Sequence, residues 1–203
     1  MFIISNNCLG GYIYRDILKK EYCSPFIWTL FDPNAFIDFI NEFDTINLEH
    51  IKVYKENPTI QNSFKLLIDN KYKLDQIHMV FDEKYTEPTI VGANKCDVHY
   101  NKIWEYITEN YIKRLNRARL EKEKIFIFYD NYGQCKDLNK LITVMKEHPN
   151  YNCIAFTNKT IDSLNNLIVK PISTKWNSEP SGWYNSFMKT YKDFLEEYLS
   201  KFE

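Results

Sequence analysis

The sequence lacks the features that mark several classes of protein. No apolar run reaches the roughly 18 residues that a membrane-spanning helix needs, and the first residues are too polar for a signal peptide. The formal net charge is -1 and charges of both signs are intermixed, so the sequence offers no basic face to nucleic acid. We therefore expect a protein without a membrane span or a nucleic-acid partner.

Cysteine is scarce, and its spacing excludes the common metal and redox motifs. The chain has 5 cysteines, an odd number, and no two of them have the close spacing of a zinc knuckle or a redox dithiol. Such usage is typical of a reducing compartment, so we expect a cytoplasmic location, no metal site and no cofactor. The Gly-rich fingerprints of nucleotide-binding loops are also missing. The 203 residues show no repeat or clear linker and are expected to form a single domain, 1–203.

Short apolar runs alternate with amphipathic segments along the chain. The run over 124–129 is almost wholly apolar, as in a strand buried on both faces, and a helix and a second strand follow it. A crossover of this kind makes the two strands parallel. The sequence predicts an α/β fold, Rossmann-like, with a largely parallel sheet flanked by helices and a small β-hairpin insertion at about 50–95. Strands are predicted near the N-terminus and over 51–54, 64–68, 72–74, 77–81, 124–129 and 151–156, helices over 9–20, 102–121, 136–146 and 180–202 and after Asp32, and a loop over 82–96.

The turn that contains Cys8 is the most informative segment. Cys8 lies between the predicted first strand and the predicted helix, where the positive end of a helix stabilises a thiolate. Gly10 and Gly11 lack side chains, so a substrate could approach backbone N–H groups beside the sulfur. That arrangement suits an oxyanion hole or a phosphate cradle. Alternatively, Cys8 is an inert small hydrophobe at the end of a strand.

Polar residues follow three of the predicted strands. They are Ser5 to Cys8 after the first strand, Asp130 and Asn131 after the strand over 124–129, and Thr157 to Lys159 after its neighbour. Ligands of parallel sheets bind at the carboxyl ends of the strands. If the three strands share one sheet, these residues lie on one rim.

His99 is the best candidate for a base that serves Cys8. It stands at the junction of the predicted loop and the long helix, close to Asp97, and follows Cys8 in the chain. A thiol, an imidazole and a carboxylate from Asp130 or Asp97 form a complete set for acyl transfer. Alternatively, His99 caps a helix or makes a hydrogen bond in the core.

The residues around Cys8 also carry a resemblance to a known family. The run Ser-Asn-Asn-Cys-Leu-Gly-Gly over 5–11 resembles the opening of a bacterial domain family of unknown function, often labelled exopolysaccharide or capsule biosynthesis proteins. That family usually has tryptophan where this chain has Leu9. The similarity resumes at residues 88–92, at the His99–Tyr100 pair and, loosely, at the basic stretch over 113–119. The resemblance implies a role in making surface polysaccharide.

A more distant resemblance is to a family described as papain-like cysteine peptidases. That family also opens with a Ser-Asn-Cys element, and its Pro-Phe-Asp-Trp element is similar to residues 25–28 of this chain. Ile27 replaces the acidic residue. The family carries a later histidine, so both resemblances single out Cys8 and His99.

Three functions fit these observations. The first is a cysteine-dependent hydrolase or acyltransferase acting on a small molecule or glycan, with Cys8 as nucleophile, His99 as base and Asp130 or Asp97 as its partner. The second is a non-hydrolytic sugar-phosphate or sugar-nucleotide binding protein that uses the turn over 6–11 as a phosphate cradle. The third is a scaffold protein of polysaccharide assembly. The predicted substrate-binding residues are Asn6, Asn7, Gly10, Gly11 and Arg15.

Overall fold

The elements follow one another in the alternating order that the sequence predicts. The structure, a computed structural model, describes residues 1–7, 9–20, 30–47, 50–55, 64–69, 71–75, 109, 112–130, 133–172 and 180–202. In chain order the elements are β1 (Phe2–Ser5), α1 (Leu9–Tyr12) with a π-helical continuation (Ile13–Leu18), β2 (Leu30–Phe31), α2 (Pro33–Glu42), β3 (Ile51–Lys55), β4 (Phe64–Ile68), β5 (Tyr72–Asp75), α3 (112–120), β6 (Lys124–Tyr129), α4 (Asn139–Glu147), β7 (Tyr151–Phe156), β8 (Leu167–Lys170) and α5 (Pro180–Ser200).

A four-stranded parallel sheet forms the centre of the fold. Its strand order is β1-β6-β7-β8, and all three pairings are parallel. β1 pairs with β6 in a register that places Ser5 opposite Ile127. In the β6-α4-β7 unit both strands have the predicted bounds and the predicted parallel pairing, whereas α4 begins three residues later and ends one residue later than the predicted helix over 136–146. The predicted α/β fold is therefore confirmed.

The two faces of this sheet are both covered by helices. Along β6, Phe126 and Phe128 belong to a cluster with the apolar faces of α2 and α4, whereas Ile125 and Ile127 belong to a cluster with α1 and α5. Successive side chains of a strand point to opposite faces, so a strand between two helical layers is apolar at almost every position. This explains why the 124–129 run does not alternate with polar residues.

A second sheet of four antiparallel strands has the order β2-β5-β4-β3. Its β4–β5 hairpin is the one predicted from the sequence, and it turns at Asp69, whose φ is +53°. The sheet packs on α2, where the Tyr72 hydroxyl donates to the Glu42 carboxylate at 2.6 Å. β2 belongs to the same sheet although it lies before the predicted insertion at about 50–95. The bounds of that insertion therefore stay a prediction.

Three elements differ from the sequence-based expectation. β2 is not predicted, because two residues are too short a run to show a strand pattern. β8 is not predicted, because its four residues follow β7 after a loop without a helix. The helix predicted over 9–20 is α-helical only to Tyr12, continues as a π-helix and ends where Lys19 has a φ of +52°. The strand predicted over 77–81 and the loop over 82–96 lie outside the described residues. None of the helices in the described ranges is long and apolar enough to span a membrane.

Asp32 provides a test of how α2 is held. Its Oδ1 accepts the N–H groups of Asn34 at 2.9 Å and Ala35 at 3.0 Å, and Pro33 opens the helix. We expect Asp32→Ala to lower the free energy of unfolding by about 1 kcal/mol, because two N–H groups lose their acceptor. Asp32→Asn keeps the capping oxygen and should lower the free energy of unfolding by only roughly a few tenths of a kcal/mol. Urea unfolding of the three proteins measures both; equal losses would show that the cap contributes little.

Candidate functional site

The parallel sheet brings the predicted polar residues to one rim. Since β1, β6 and β7 are adjacent and parallel, their carboxyl ends place Ser5 to Asn7, Asp130 and Thr157 to Lys159 at the same edge. Cys8 and His99, and also Asp97, lie outside the described residues, so their catalytic roles stay predictions. The residues that flank Cys8 are described, and they define the surroundings of the turn.

Asn6 extends the pairing of β1 with β6 by means of its side chain. Its Nδ2 donates to the Tyr129 carbonyl oxygen at 2.9 Å, and its Oδ1 accepts the Tyr129 N–H at 2.8 Å. Its own carbonyl oxygen accepts the N–H of Phe31 at 2.8 Å. Asn6 therefore fixes the end of β1 against both sheets. These bonds give Asn6 a structural function, and its predicted contact with substrate remains a prediction.

Asn7 is held in one orientation by two donors to its carboxamide oxygen. Oδ1 accepts the backbone N–H of Leu9 at 3.0 Å and the Ser5 hydroxyl at 3.0 Å. The Ser5 oxygen in turn accepts the N–H of Asn7 at 3.3 Å. Because a backbone N–H can only donate, the atom facing Leu9 must be the oxygen, and the nitrogen must point the other way. The short turn between β1 and α1 thus orients the Asn7 amide.

The Asn7 amide nitrogen is buried and has no hydrogen-bond partner among the described residues. The residue is 4% exposed, and Nδ2 is the buried side-chain atom in the described ranges that lacks a partner. An unsatisfied buried donor costs roughly 1–3 kcal/mol, so native structures keep few of them. A free donor in the residue that precedes Cys8 in the chain is suited to bind an acceptor atom of a ligand.

Gly10 has a packing role in the same turn. A Cβ atom at this position would lie 3.1 Å from the Cβ of Ser5, closer than ordinary van der Waals contact. Gly10 and Gly11 are both buried. The absence of a side chain at Gly10 therefore lets α1 approach β1. That explanation differs from the predicted one, in which the glycines leave room for substrate, and the predicted role stays untested.

Asp130 is 1% exposed and connects the ends of β6 and β7. Its Oδ1 accepts the N–H of Cys135 at 2.8 Å, and its Oδ2 accepts the hydroxyl of Thr157 at 3.0 Å. Lys159 closes this network, since its ammonium donates to the carbonyl oxygens of Gly133 and Cys135. Burial raises the pKa of the Cys135 thiol above its usual value, and the Asp130 charge adds to this effect. The carboxylate is thus held rigidly at the rim, and its predicted partnership with His99 stays a prediction.

Arg15 lies between the first helix and α5. Its guanidinium makes two hydrogen bonds of 2.7 Å to the Asp16 carboxylate and lies 5.0 Å from the centre of the Tyr12 ring. The hydroxyl of Tyr184 donates to the same carboxylate. The hydrogen bonds from Arg15 are the largest cause of a lowered pKa at Asp16. Because Asp16 already neutralises this cation, the structure gives no support to the predicted contact of Arg15 with an anionic substrate.

The sequence predicts that Ser5, Thr157 and Lys159 lie on the rim but assigns none of them a function. The signal for Ser5 is its spacing, since a serine two residues before an asparagine can bond to that residue locally. No sequence signal identifies the contact of Thr157 with Asp130, which are 27 positions apart. Within the described ranges, no group of three His, Cys, Asp or Glu side chains could hold a metal ion.

Asn6 can be tested by a change that makes its contact depend on pH. In Asn6→Asp, an ionised carboxylate accepts the Tyr129 N–H but repels the Tyr129 carbonyl oxygen, whereas a protonated carboxyl donates to it. Burial and this repulsion raise the pKa of the new group in the folded state above the unfolded value of about 3.9. The variant is therefore least destabilised below about pH 4, and its deficit grows as the pH rises through the folded-state pKa.

The matched control is Asn6→Leu, which removes both bonds and carries no titratable group. We expect a loss of roughly 2–4 kcal/mol that stays constant relative to the unaltered protein between pH 3 and about pH 7. Urea unfolding across this range measures both variants. A pH-independent deficit in Asn6→Asp would show that its side chain does not face the Tyr129 carbonyl.

No curated protein and no solved structure matches the chain. A family model does match, and it covers residues 1–196, from β1 into the last turns of α5. The match confirms the resemblance to a domain family of unknown function. The chain belongs to the family described as Domain of unknown function (DUF1919).

Proposed function

We propose that this protein is a cysteine-dependent hydrolase or acyltransferase, with Cys8 as the nucleophile and His99 as the base. The observation that carries the proposal is the Asn7 amide nitrogen, which is buried, oriented and unpartnered directly before Cys8 in the chain. Acyl transfer requires a donor at the position where the carbonyl oxygen becomes negative. The amide N–H of Asn7, the residue before Cys8 in the chain, is proposed to be that donor.

The same turn is less suited to the alternative function of a phosphate cradle. A phosphate site at a helix start uses several free backbone N–H groups. Here the N–H of Asn6 donates to Ile127, that of Asn7 donates to Ser5, and that of Leu9 donates to Asn7. Arg15, which the sequence predicts to hold an anionic group of the substrate in the acyl-transfer function, is paired with Asp16 and so offers a phosphate no free charge either. These contacts favour a ligand that needs one or two donors, such as a carbonyl oxygen, over a dianion.

The proposed reaction has two chemical steps. His99 takes the proton of Cys8, the sulfur forms a bond to the acyl carbon, and the carbonyl electron pair moves to the oxygen, which Asn7 stabilises. The oxygen then returns its electron pair, the bond to the leaving group breaks, and the leaving alcohol or amine takes the proton from His99. Water or an acceptor hydroxyl releases the acyl group from sulfur in the second step, with His99 acting as base again.

The substrate class follows from the family resemblance rather than from the rim. The opening motif over 5–11 resembles proteins labelled exopolysaccharide or capsule biosynthesis proteins, so we propose an acyl group on a surface glycan or glycoconjugate as the substrate. The more distant likeness to papain-like cysteine peptidases supports the same pair of catalytic residues. A cytoplasmic location is part of this proposal.

Alkylation tests the nucleophile directly. We expect iodoacetamide to label Cys8 about tenfold faster or more than Cys135 and Cys153 at neutral pH, because both of these thiols are buried. Burial raises the pKa of Cys153 to about 12, so this residue is an internal reference for an inert thiol. Peptide mass spectrometry of timed samples measures all sites at once, with Cys8→Ser as the blank. Labelling of Cys8 no faster than Cys135 would contradict the proposal.

His99→Gln separates the proposed function from simple binding. If His99 takes the Cys8 proton, the variant raises the pKa of the thiol and slows its alkylation at neutral pH, by about tenfold or more. Above the raised pKa, alkylation should recover to the rate of the unaltered protein. An unchanged pH profile in a folded variant would argue for the phosphate-binding function, and inorganic phosphate would then be expected to raise the melting temperature.

A further inference from the structure

Ser5 makes two hydrogen bonds to Asn7, in the turn before Cys8. Its hydroxyl donates to Asn7 Oδ1 at 3.0 Å, and its oxygen accepts the Asn7 N–H at 3.3 Å. Its Cβ also lies 3.1 Å from the position that a Cβ atom at Gly10 would take. Ser5 is 1% exposed and is the last residue of β1. It therefore joins the sheet to the carboxamide of Asn7 without reaching the solvent.

We propose that Ser5 is a positioning residue that makes the Asn7 carboxamide present its nitrogen, rather than its oxygen, to the acyl oxygen at Cys8. This inference rests on the proposed function and adds to it the specificity of the site for an acceptor atom. A carboxamide can rotate by 180° and exchange its donor for its acceptor. Two donors on Oδ1, from Leu9 and Ser5, oppose that rotation, and they leave Nδ2 as the free end.

The contribution of Ser5 differs from that of Leu9. The Leu9 N–H belongs to the first residue of α1, whereas the Ser5 hydroxyl belongs to the last residue of β1, so the oxygen is bonded to both elements. Without the hydroxyl, the amide keeps one bond and gains freedom to turn about its side-chain torsions. A donor that is misplaced by a fraction of an ångström stabilises an oxyanion less, even when the fold is unchanged.

Two reagents that react with the same thiol distinguish positioning from structure. p-Nitrophenyl acetate acylates Cys8 through a tetrahedral oxyanion, with the C–S bond forming and p-nitrophenolate leaving. Iodoacetamide alkylates the sulfur by displacement of iodide, and no oxyanion forms. Both reactions use the thiolate, so the ratio of the two rates cancels changes in the pKa and exposure of Cys8. The ratio reports only on stabilisation of the oxyanion.

We expect Ser5→Ala to lower the acylation rate by about tenfold and to change the alkylation rate by less than about twofold. Asn7→Asp keeps the acceptor for Ser5 and Leu9 but removes the donor nitrogen, so its ratio should fall by about a hundredfold. Ser200→Ala, which removes an exposed hydroxyl at the end of α5, is the matched control and should leave the ratio unchanged. Acylation is followed by release of p-nitrophenolate, and mass spectrometry assigns both labels to Cys8.

Each remaining outcome decides against the proposal in a recognisable way. If Ser5→Ala slows both reactions equally, or slows neither, Ser5 does not position the donor, and the proposed function is unaffected. If Asn7→Asp leaves the ratio unchanged while Cys8 is acylated, the donor is elsewhere, and the inference about Ser5 fails with it. If p-nitrophenyl acetate does not acylate Cys8 in the unaltered protein, the proposed function and this inference both fail.

A second variant guards against loss of folding. Ser5→Gly removes the same hydroxyl and also the Cβ that faces Gly10, so, unlike Ser5→Ala, it changes the packing of α1 on β1. The two variants share only the missing hydroxyl, and the proposal requires the same fall in the rate ratio from both. A fall in one and not the other would assign the effect to packing and overturn the proposal.

Discussion

The pairing of β1 with β6 is the constraint on which the rim depends. The two strands are more than 100 positions apart in the chain, yet their register sets Ser5 opposite Ile127 and brings Asn6 to the backbone of Tyr129. Asn6 then uses both ends of its carboxamide to continue the ladder past the last strand residue. Because the chain leaves β1 in a fixed direction, Asn7 and the start of α1 are placed by the sheet rather than by the turn alone.

This placement makes two adjacent asparagines chemically different. Asn6 donates and accepts within the protein, whereas Asn7 accepts twice and keeps a buried donor free. A free buried donor lowers stability, and the surrounding strands and helices supply the packing that tolerates it. In an enzyme this cost is offset when a developing negative charge meets the donor without any rearrangement of the protein. The proposed mechanism gives the unpaired nitrogen of Asn7 that function.

The sequence predicts those elements whose signals are local. Strands buried on both faces lack alternation, which makes β6 and β7 recognisable, and the Asp32–Pro33 pair marks the start of α2 through a capping bond within three residues. Four residues, of which one is buried and three are partly exposed, carry too little pattern to reveal β8. The π-helical segment escapes prediction because apolar spacing does not encode which carbonyl each N–H selects.

The candidate site likewise has features that local sequence signals predict and features that they do not. The shared rim is predictable, because it needs only the parallel order of three strands. The different roles of Asn6 and Asn7 are not, since they depend on a contact with Tyr129 at 123 positions' distance and on the orientation of a carboxamide. Likewise, the ion pair of Arg15 with its neighbour Asp16 changes the chemistry of a residue that looks like a free cation in the sequence.

A crystal structure of the protein with a small aldehyde added to Cys8 tests the central claim most directly. The thiol and the aldehyde form a hemithioacetal, whose oxygen occupies the position of the reaction's oxyanion. The account predicts this oxygen at about 2.7–3.1 Å from Asn7 Nδ2, with Ser5 and Leu9 still bonded to Oδ1. An oxygen that points to solvent while Nδ2 is bonded to another group of the protein would contradict it.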